Sequence, residues 1–460
     1  MSAARAESAA AVKDFTSGSI IRQMLLFAVP HMLSSAMQIM YSAVDLSIVG
    51  KAVSGAALSA ISISGNVLNL LTMLGLGFAT GGQVYMSQLL GLGRRDAMGR
   101  VIGTLLAATT VIALSLALTS FVFCSDILKL MSVPPEAFKM AGTYLRICCT
   151  GLAFTFVYNA LAAAMRAQGD SRTPLLAIVI ASLINLVLDV VFVIVLKWRV
   201  VGAAAATVIG QAVSASIVLA AVLRRKECFG FQLCRSCLLP DWKAFQAVTA
   251  LAIPYALEMA VFNISMLFVN RLINNVGIYA SETFGIGLKV EELGNKLCTG
   301  ITCATSVMVG QNMAAGNIER TKKVVHTAFC FGALMYAVFA AVCFTGSEFL
   351  FSLFVNDKDV IEMAPLFISS IAWGFPAMAS MRGTNGLLQG VSNAKLSFAI
   401  GIIDGVLVRI PLSYLLGVTL GMGLRGFFLA YALAAYVNSG FGMLYYLSGK
   451  WKTRKLAVES

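Results

Sequence analysis

The chain is written twice, and a chain written twice must fold as two similar halves. Pro30 in FAVPHMLSS recurs as Pro254 in LAIPYALEM, Gln88 in SQLLGLGRRDA recurs as Gln311 in GQNMAAGNIER, and Gln168-Gly169 recurs as Gln389-Gly390. The offsets are 224, 223 and 221 residues, so three landmarks advance together across almost half of the 460 residues. Between the landmarks, the runs 52–93, 101–125, 200–223, 297–318, 324–347 and 426–449 hold no Asp, Glu, Lys or Arg. A hydrocarbon interior offers the backbone no hydrogen-bond partner, so runs of this kind close their bonds inside helices. They are continuous rather than alternating, which is the wrong period for a β-barrel.

With 59% hydrophobic and 12% charged residues and a mean hydropathy of +0.85, the chain is not a soluble enzyme; water-soluble domains carry roughly 25% charged residues. The spacing predicts an all-α integral membrane protein with about twelve transmembrane helices of ~20 residues. Six helices per repeat is an even number, so both repeats start on one side and are parallel. The expected parts are a cytoplasmic tail (1–18), an N-lobe of six spans (19–224), a polar cytoplasmic linker (225–243), a C-lobe of six spans (244–449) and a basic tail (450–460). With the amino terminus inside, the tails and the loops on that side hold 22 of the 34 basic residues, Arg382 among them, and the opposite loops hold seven. That bias places both termini in the cytoplasm of a multi-pass plasma-membrane protein. It also accounts for the net charge of +13 without a nucleic-acid partner.

The first 19 residues are polar and Ala-rich and lead into a full span, so no cleavable signal peptide is expected. Loops are short, and no G-x-x-x-x-G-K-[ST] sequence is present, so no nucleotide-binding domain, cofactor or enzymatic activity is expected. Most of the ten cysteines fall inside spans as small apolar residues. Cys228, Cys234 and Cys237 lie in the linker, where no histidine completes a zinc set, and are expected to be reduced thiols.

An ionisable residue inside a span costs roughly 2.5–3.5 kcal/mol to insert, so such residues point to function. Asp45 falls about 8 Å inside the outer end of the first span, Asp189 about 10 Å inside that of the fifth, and Thr207 about 9 Å into the sixth. Asn185 lies one turn from Asp189 on the same face. Two carboxylates, a carboxamide oxygen and a hydroxyl at one level suit Na⁺, and they equally suit H⁺. Plain helix-to-helix bonding is the competing explanation. In the second repeat, the Glu292–Lys296 and Lys289–Glu292 spacings suggest salt bridges within one helix. Asp404 and Arg409 are candidates to offset one another, though five residues is a poor spacing for a direct pair on an α-helix. Glu258 has no helical partner and is a candidate for substrate or proton binding, with Gln38, Met259 and Phe262 beside it as further candidates for that cavity. Pro30 and Pro254 interrupt the first span of each repeat and are candidate hinges.

These residues together resemble the multidrug and toxic compound extrusion (MATE) family of secondary transporters, of bacterial type. The likeness runs over about 20–448, through VDLSIVG, SQLLGLGRRDAMGR, RAQGDSRTP, INLVLD, GQNMAAGNIERTKK, LLQGVSNAK and RIPLSYLLG in that order. The resemblance implies a two-lobed, V-shaped bundle acting as a monomer among membrane lipids. It implies an antiporter that exports amphipathic, often cationic organic compounds against inward Na⁺ or H⁺ by alternating access. The family's cation set maps onto Asp45, Asn185, Asp189 and Thr207, and its bending proline onto Pro30. No metal is implied beyond Na⁺ as a transported ion. Two features depart from relatives: 363–381 holds no acid, and Phe262 stands where several relatives carry one. A lipid-linked saccharide flippase of the same superfamily is the alternative, kept open by Arg146, Arg271 and Arg409.

Overall fold

The computed structural model describes residues 13–52, 55–231, 240–355 and 357–459, without the side chains of 41–52, 55–56 and 227. Among these residues there is no strand. The first repeat comprises α1 (Ile20–Ala52), α2 (Gly55–Gly91), α3 (Met98–Val122), α4 (Pro135–Ala167), α5 (Arg172–Asp189) and α6 (Arg199–Arg224). The second comprises α7 (Trp242–Asn274), α8 (Ile278–Ala314), α9 (Ile318–Ser352), α10 (Phe375–Gly390), α11 (Ala394–Ile402, prolonged by π-helical turns) and α12 (Gly423–Leu447). Eleven spans are long and apolar enough to cross a membrane among the described residues. The twelfth long helix, α8, carries Lys289, Glu291, Glu292 and Lys296 and does not reach that apolarity. Arg382, expected among the loop cations, is instead buried within α10, where its Nε donates to the Met378 carbonyl at 3.1 Å.

The helices pack into two compact units, and the units are not the two repeats. Unit 1 holds residues 1–14 and 33–256, and unit 2 holds 15–32 and 257–460. The opening turns of α1 therefore pack with the second repeat, and those of α7 with the first. Close approach of glycine to backbone shows why. In unit 1 a Cβ on Gly77 of α2 would stand 2.7 Å from the Ala252 carbonyl of α7. In unit 2 a Cβ on Gly300 of α8 would stand 2.7 Å from the Ala28 carbonyl of α1. Only glycine permits backbones this near. Pro30 and Pro254 sit within three residues of the two crossings, at Met32–Leu33 and Ala256–Leu257.

Helix ends fix the register between repeats more firmly than the sequence landmarks do. At the close of α2, the Gly93 amide donates to Leu90 and that of Arg94 to Leu89; at the close of α8, the Gly316 amide donates to Met313 and that of Asn317 to Asn312. Both glycines adopt the left-handed φ that closes a helix in this way. At the close of α4 the left-handed residue is Gly169, and at the close of α10 it is Ser392, with matching bonds from Asp170 to Met165 and from Asn393 to Leu388. The offset there is 223, which corrects the 221 suggested by aligning Gln168-Gly169 with Gln389-Gly390.

At the far end of α5, Leu196 bonds to Val191 and Trp198 to Phe192; at the far end of α11, Leu420 bonds to Leu415 and Met422 to Leu416. Left-handed Lys197 and Arg199 recur as Gly421 and Gly423. The offset is now 224. One extra residue has entered α11, and the π-helical stretch Ile403–Arg409 lies where it must be absorbed. A π-bulge has that effect, widening one turn without ending the helix.

Candidate cation-binding site

In unit 1, α5 and α6 run antiparallel from the tight turn at Lys197–Arg199. Gly202 of α6 faces Phe192, and Gly210 faces Asn185, whose Cβ would be 3.2 Å from a Cβ on that glycine. Between these two levels, Asp189 on α5 comes opposite the turn of α6 that carries Thr207. Asn185 is 1% exposed and Asp189 0%, and among the described residues neither the Oδ1 nor the Nδ2 of Asn185 has a hydrogen-bond partner. Thr207 donates its hydroxyl proton to the Ala203 carbonyl at 2.9 Å, which leaves its oxygen lone pairs facing elsewhere. One turn further along α6, the buried Oε1 of Gln211 also lacks a partner. It occupies space that Gly151 of α4 leaves open: a Cβ there would lie 1.9 Å from it. Asp189 is the last α-helical residue before the π-helical stretch Val190–Val195.

A buried carboxamide left unbonded costs about 1–3 kcal/mol, so this seam is a poor structural element and a good set of oxygen ligands. The donor chemistry is carboxylate, carboxamide and hydroxyl oxygen, which fits a hard monovalent cation. Asp45 belongs to α1, and its side chain lies outside the described residues.

Unit 2 arranges its charges differently. Arg409 of α11 is buried, and its Nη2 donates to both oxygens of Asp404 at 3.0 and 2.7 Å. On an α-helix, residues five apart diverge by about 140°. Here the intervening turn is π-helical, and i→i+5 geometry brings them onto one face. Glu258 of α7 is half-buried against Gly401, one turn before Asp404. Met259 and Phe262 are exposed, and the Phe262 ring lies 4.3 Å from the Arg409 guanidinium. Gln38, in unit 1, is exposed on α1. Glu292 and Lys296 pair at 2.7 Å on the surface, whereas Glu291 turns inward and accepts from the Tyr431 hydroxyl at 3.0 Å.

The family model MatE matches the chain twice, over residues 30–191 and 254–415. This chain belongs to the MatE family. The two matches open on Pro30 and Pro254 and are themselves 224 residues apart, the register found at the far ends of α5 and α11. The chain is 26% identical over 446 residues to the probable multidrug resistance protein YpnP of Bacillus subtilis, covering 97% of this chain and 99% of that one. It is 24% identical to the probable multidrug resistance protein NorM of Thermotoga maritima, covering 95% and 94%. Its fold matches that of a MOP-superfamily transporter from Pyrococcus furiosus with a TM-score of 0.89 at 18% identity, over 95% and 97% of the two chains.

This MatE chain is thus a multi-pass membrane protein. Its structure draws Asn185, Asp189 and Thr207 to one seam, and it keeps Glu258, Met259 and Phe262 in the other unit. Two residues escaped the sequence argument. Gln211 carried no visible signal, because glutamine on an apolar helix is common; its i,i+4 spacing from Thr207 was the available clue. Glu291 was hidden by its neighbours, since the spacings of Lys289, Glu292 and Lys296 suggested salt bridges within one helix and drew the reading away from it.

Proposed function

We propose that this protein is a secondary active antiporter of the plasma membrane, exporting amphipathic cationic organic compounds in exchange for Na⁺ or H⁺. The observation that carries this is the α5–α6 seam, where the fully buried Asp189 stands one turn from a buried carboxamide with no hydrogen-bond partner. The export half rests on relatives named as multidrug resistance proteins. Asp45, Asn185, Asp189 and Thr207 hold the ion, with Gln211 as a further oxygen. Glu258 offers charge to a cationic substrate, with Met259, Phe262 and Gln38 supplying adaptable contacts. Pro30 and Pro254 are the hinges of alternating access, placed where α1 and α7 leave one unit for the other. Ion and substrate then favour opposite facings, each through its own differential affinity. The protein acts as a monomer in contact with lipid, and both termini are cytoplasmic.

A flippase for anionic lipid-linked saccharides would need cationic groups open to the substrate. Arg409 is committed to Asp404 and buried, and Arg146 and Arg271 are exposed on their helices. Relatives named as multidrug resistance proteins favour drug export over that alternative.

The test is export of a fluorescent cationic dye from proteoliposomes, driven first by a Na⁺ gradient and then by a pH gradient. One gradient should drive efflux, and Asp189→Asn should abolish it while the protein still inserts. Undiminished efflux by Asp189→Asn would overturn the proposal.

A further inference from the structure

The 224-residue register set by the ends of α5 and α11 carries the ion-site residues of unit 1 onto definite positions of unit 2. Asn185 maps onto Arg409, Asp189 onto Ser413, and Thr207 onto Tyr431. Gly202 against Phe192 is matched by Gly426 against Leu416, so the two seams pack alike. Position 409 is therefore the counterpart of the unsatisfied carboxamide, and it holds a guanidinium. That guanidinium is wrapped as a bound cation would be. Both oxygens of Asp404 accept from Nη2, Ser265 Oγ lies 3.4 Å from Nη1, and the rings of Phe262 and Tyr431 lie 4.3 and 5.6 Å from the guanidinium carbon. Carboxylate, hydroxyl and two aromatic faces form a cation-binding set.

We propose that Arg409 is a tethered cation, filling in unit 2 the counterpart of the exchangeable-ion site of unit 1 and closing that seam to Na⁺ and H⁺. The one-residue π insertion is the device that allows it, since it brings Asp404 and Arg409 into register. A tethered guanidinium cannot leave, so unit 2 does not respond to the ion gradient. The inference rests on the assignment of an ion to unit 1. It also explains, from this chain alone, why the duplicated scaffold carries unduplicated acids.

Other charged groups face this pair from neighbouring helices. Glu258 on α7 interacts electrostatically with Asp404, and Glu291 on α8 with Arg409 and with Arg382 on α10. Tyr431 on α12 stands between Glu291 and Arg409, with Tyr336 of α9 in its field. Any new ionisation in a variant must be assigned to Asp404 against these groups, which is why the test includes Asp404→Asn.

The experiment counts exchangeable cations on the full chain in lipid nanodiscs. Radioactive Na⁺ is bound to saturation in one arm; in the other, proton uptake is followed with an indicator in Na⁺-free solution. The wild type should take one cation in whichever arm responds, and Asp189→Asn none. Arg409→Leu should take two, and Arg409→Leu with Asp404→Asn should return to one. If Asp189→Asn keeps its ion, the assignment to unit 1 fails and this proposal falls with it. If Asp189→Asn takes none and a folded Arg409→Leu still takes one, the tethered-cation proposal alone is overturned. Should Arg409→Leu not fold, Arg409→Ala decides. Millimolar guanidinium should raise its thermal transition saturably and leave the wild type unmoved; no such rescue overturns the proposal.

Discussion

The α5–α6 seam of unit 1 and the α11–α12 seam of unit 2 share a backbone and differ in where their electrostatics are completed. Both turn through two left-handed residues, and both set a glycine of the returning helix against the chain it leaves. In unit 1 the Asn185 carboxamide and the Gln211 carbonyl oxygen find no partner among the described residues; in unit 2 a guanidinium meets a carboxylate, a hydroxyl and two rings, with its Nε and the Ser413 hydroxyl left over. Leaving a buried set unsatisfied destabilises the fold unless something binds there. On the proposed assignment, one seam waits for a charge and the other carries its own. Duplication supplied the scaffold, and a single inserted residue let the copies diverge.

The largest effect should come from erasing that difference. Asn185→Arg puts a guanidinium where unit 2 has one, one turn from Asp189. The variant should insert and fold, and its gradient-driven dye efflux should fall to background, because its own cation cannot dissociate. A variant that exports normally would break the comparison, since the seam would then not be the place where the ion acts.

A smaller effect should separate the seams by stability. Removing one partner of a buried ion pair costs about 3–5 kcal/mol, because the other charge is left without compensation. Arg409→Leu should lose about that much in thermal or denaturant unfolding, and adding Asp404→Asn should recover most of it. Asn185→Leu should lose no stability, since its carboxamide has no bond to forfeit and its unbonded burial is itself a cost. Equal losses in both seams would show that Asn185 is a structural residue like Arg409.

Most of the architecture could be read from the sequence because apolar runs admit one solution in a membrane. The repeat, the long helices and the buried places of Asn185 and Asp189 follow from periodicity and from the rarity of buried polar groups; Gln211 does not. The crossing of α1 and α7 did not, because it depends on whether Gly77 meets Ala252 or some residue of its own repeat, and glycines give no hint of their partners. Asp404 and Arg409 were misjudged for a sharper reason. Their spacing of five is wrong for an α-helix, and nothing in IDGVLVR announces a π turn. The 221-residue offset misled similarly: Gln-Gly occurs at both helix ends, but the residue that takes the left-handed conformation is Gly169 in one copy and Ser392 in the other.

The smallest effect concerns the opposite ends of the same helices. Where α4 hands over to α5, Asp170 accepts from the amides of Arg172 and Thr173 at 3.0 Å, from the Thr173 hydroxyl at 2.6 Å and from Arg225 at 2.7 Å. Its counterpart between α10 and α11 is Asn393, and there Arg454 meets no carboxylate but the carbonyls of Val391 and Ser392 and the Tyr445 side chain. Burial by itself would push the Asp170 carboxyl up, but the Thr173 bonds and the Arg225 guanidinium together hold it below the ordinary carboxylate range. A carboxyl lowered on folding stabilises the fold above its unfolded value and loses that contribution as pH falls through the folded one. Arg225 is 40% exposed, so solvent screening keeps the contribution under about 1 kcal/mol. Asp170→Asn should therefore lower the melting temperature slightly at pH 6, and the gap from wild type should close below pH 4, near the ordinary aspartate value of about 3.9. Asn393→Ala should show a gap that does not change over the same range. A pH-independent gap for Asp170→Asn would mean that the carboxyl is not lowered on folding, and that the two ends differ in sequence without differing in electrostatics.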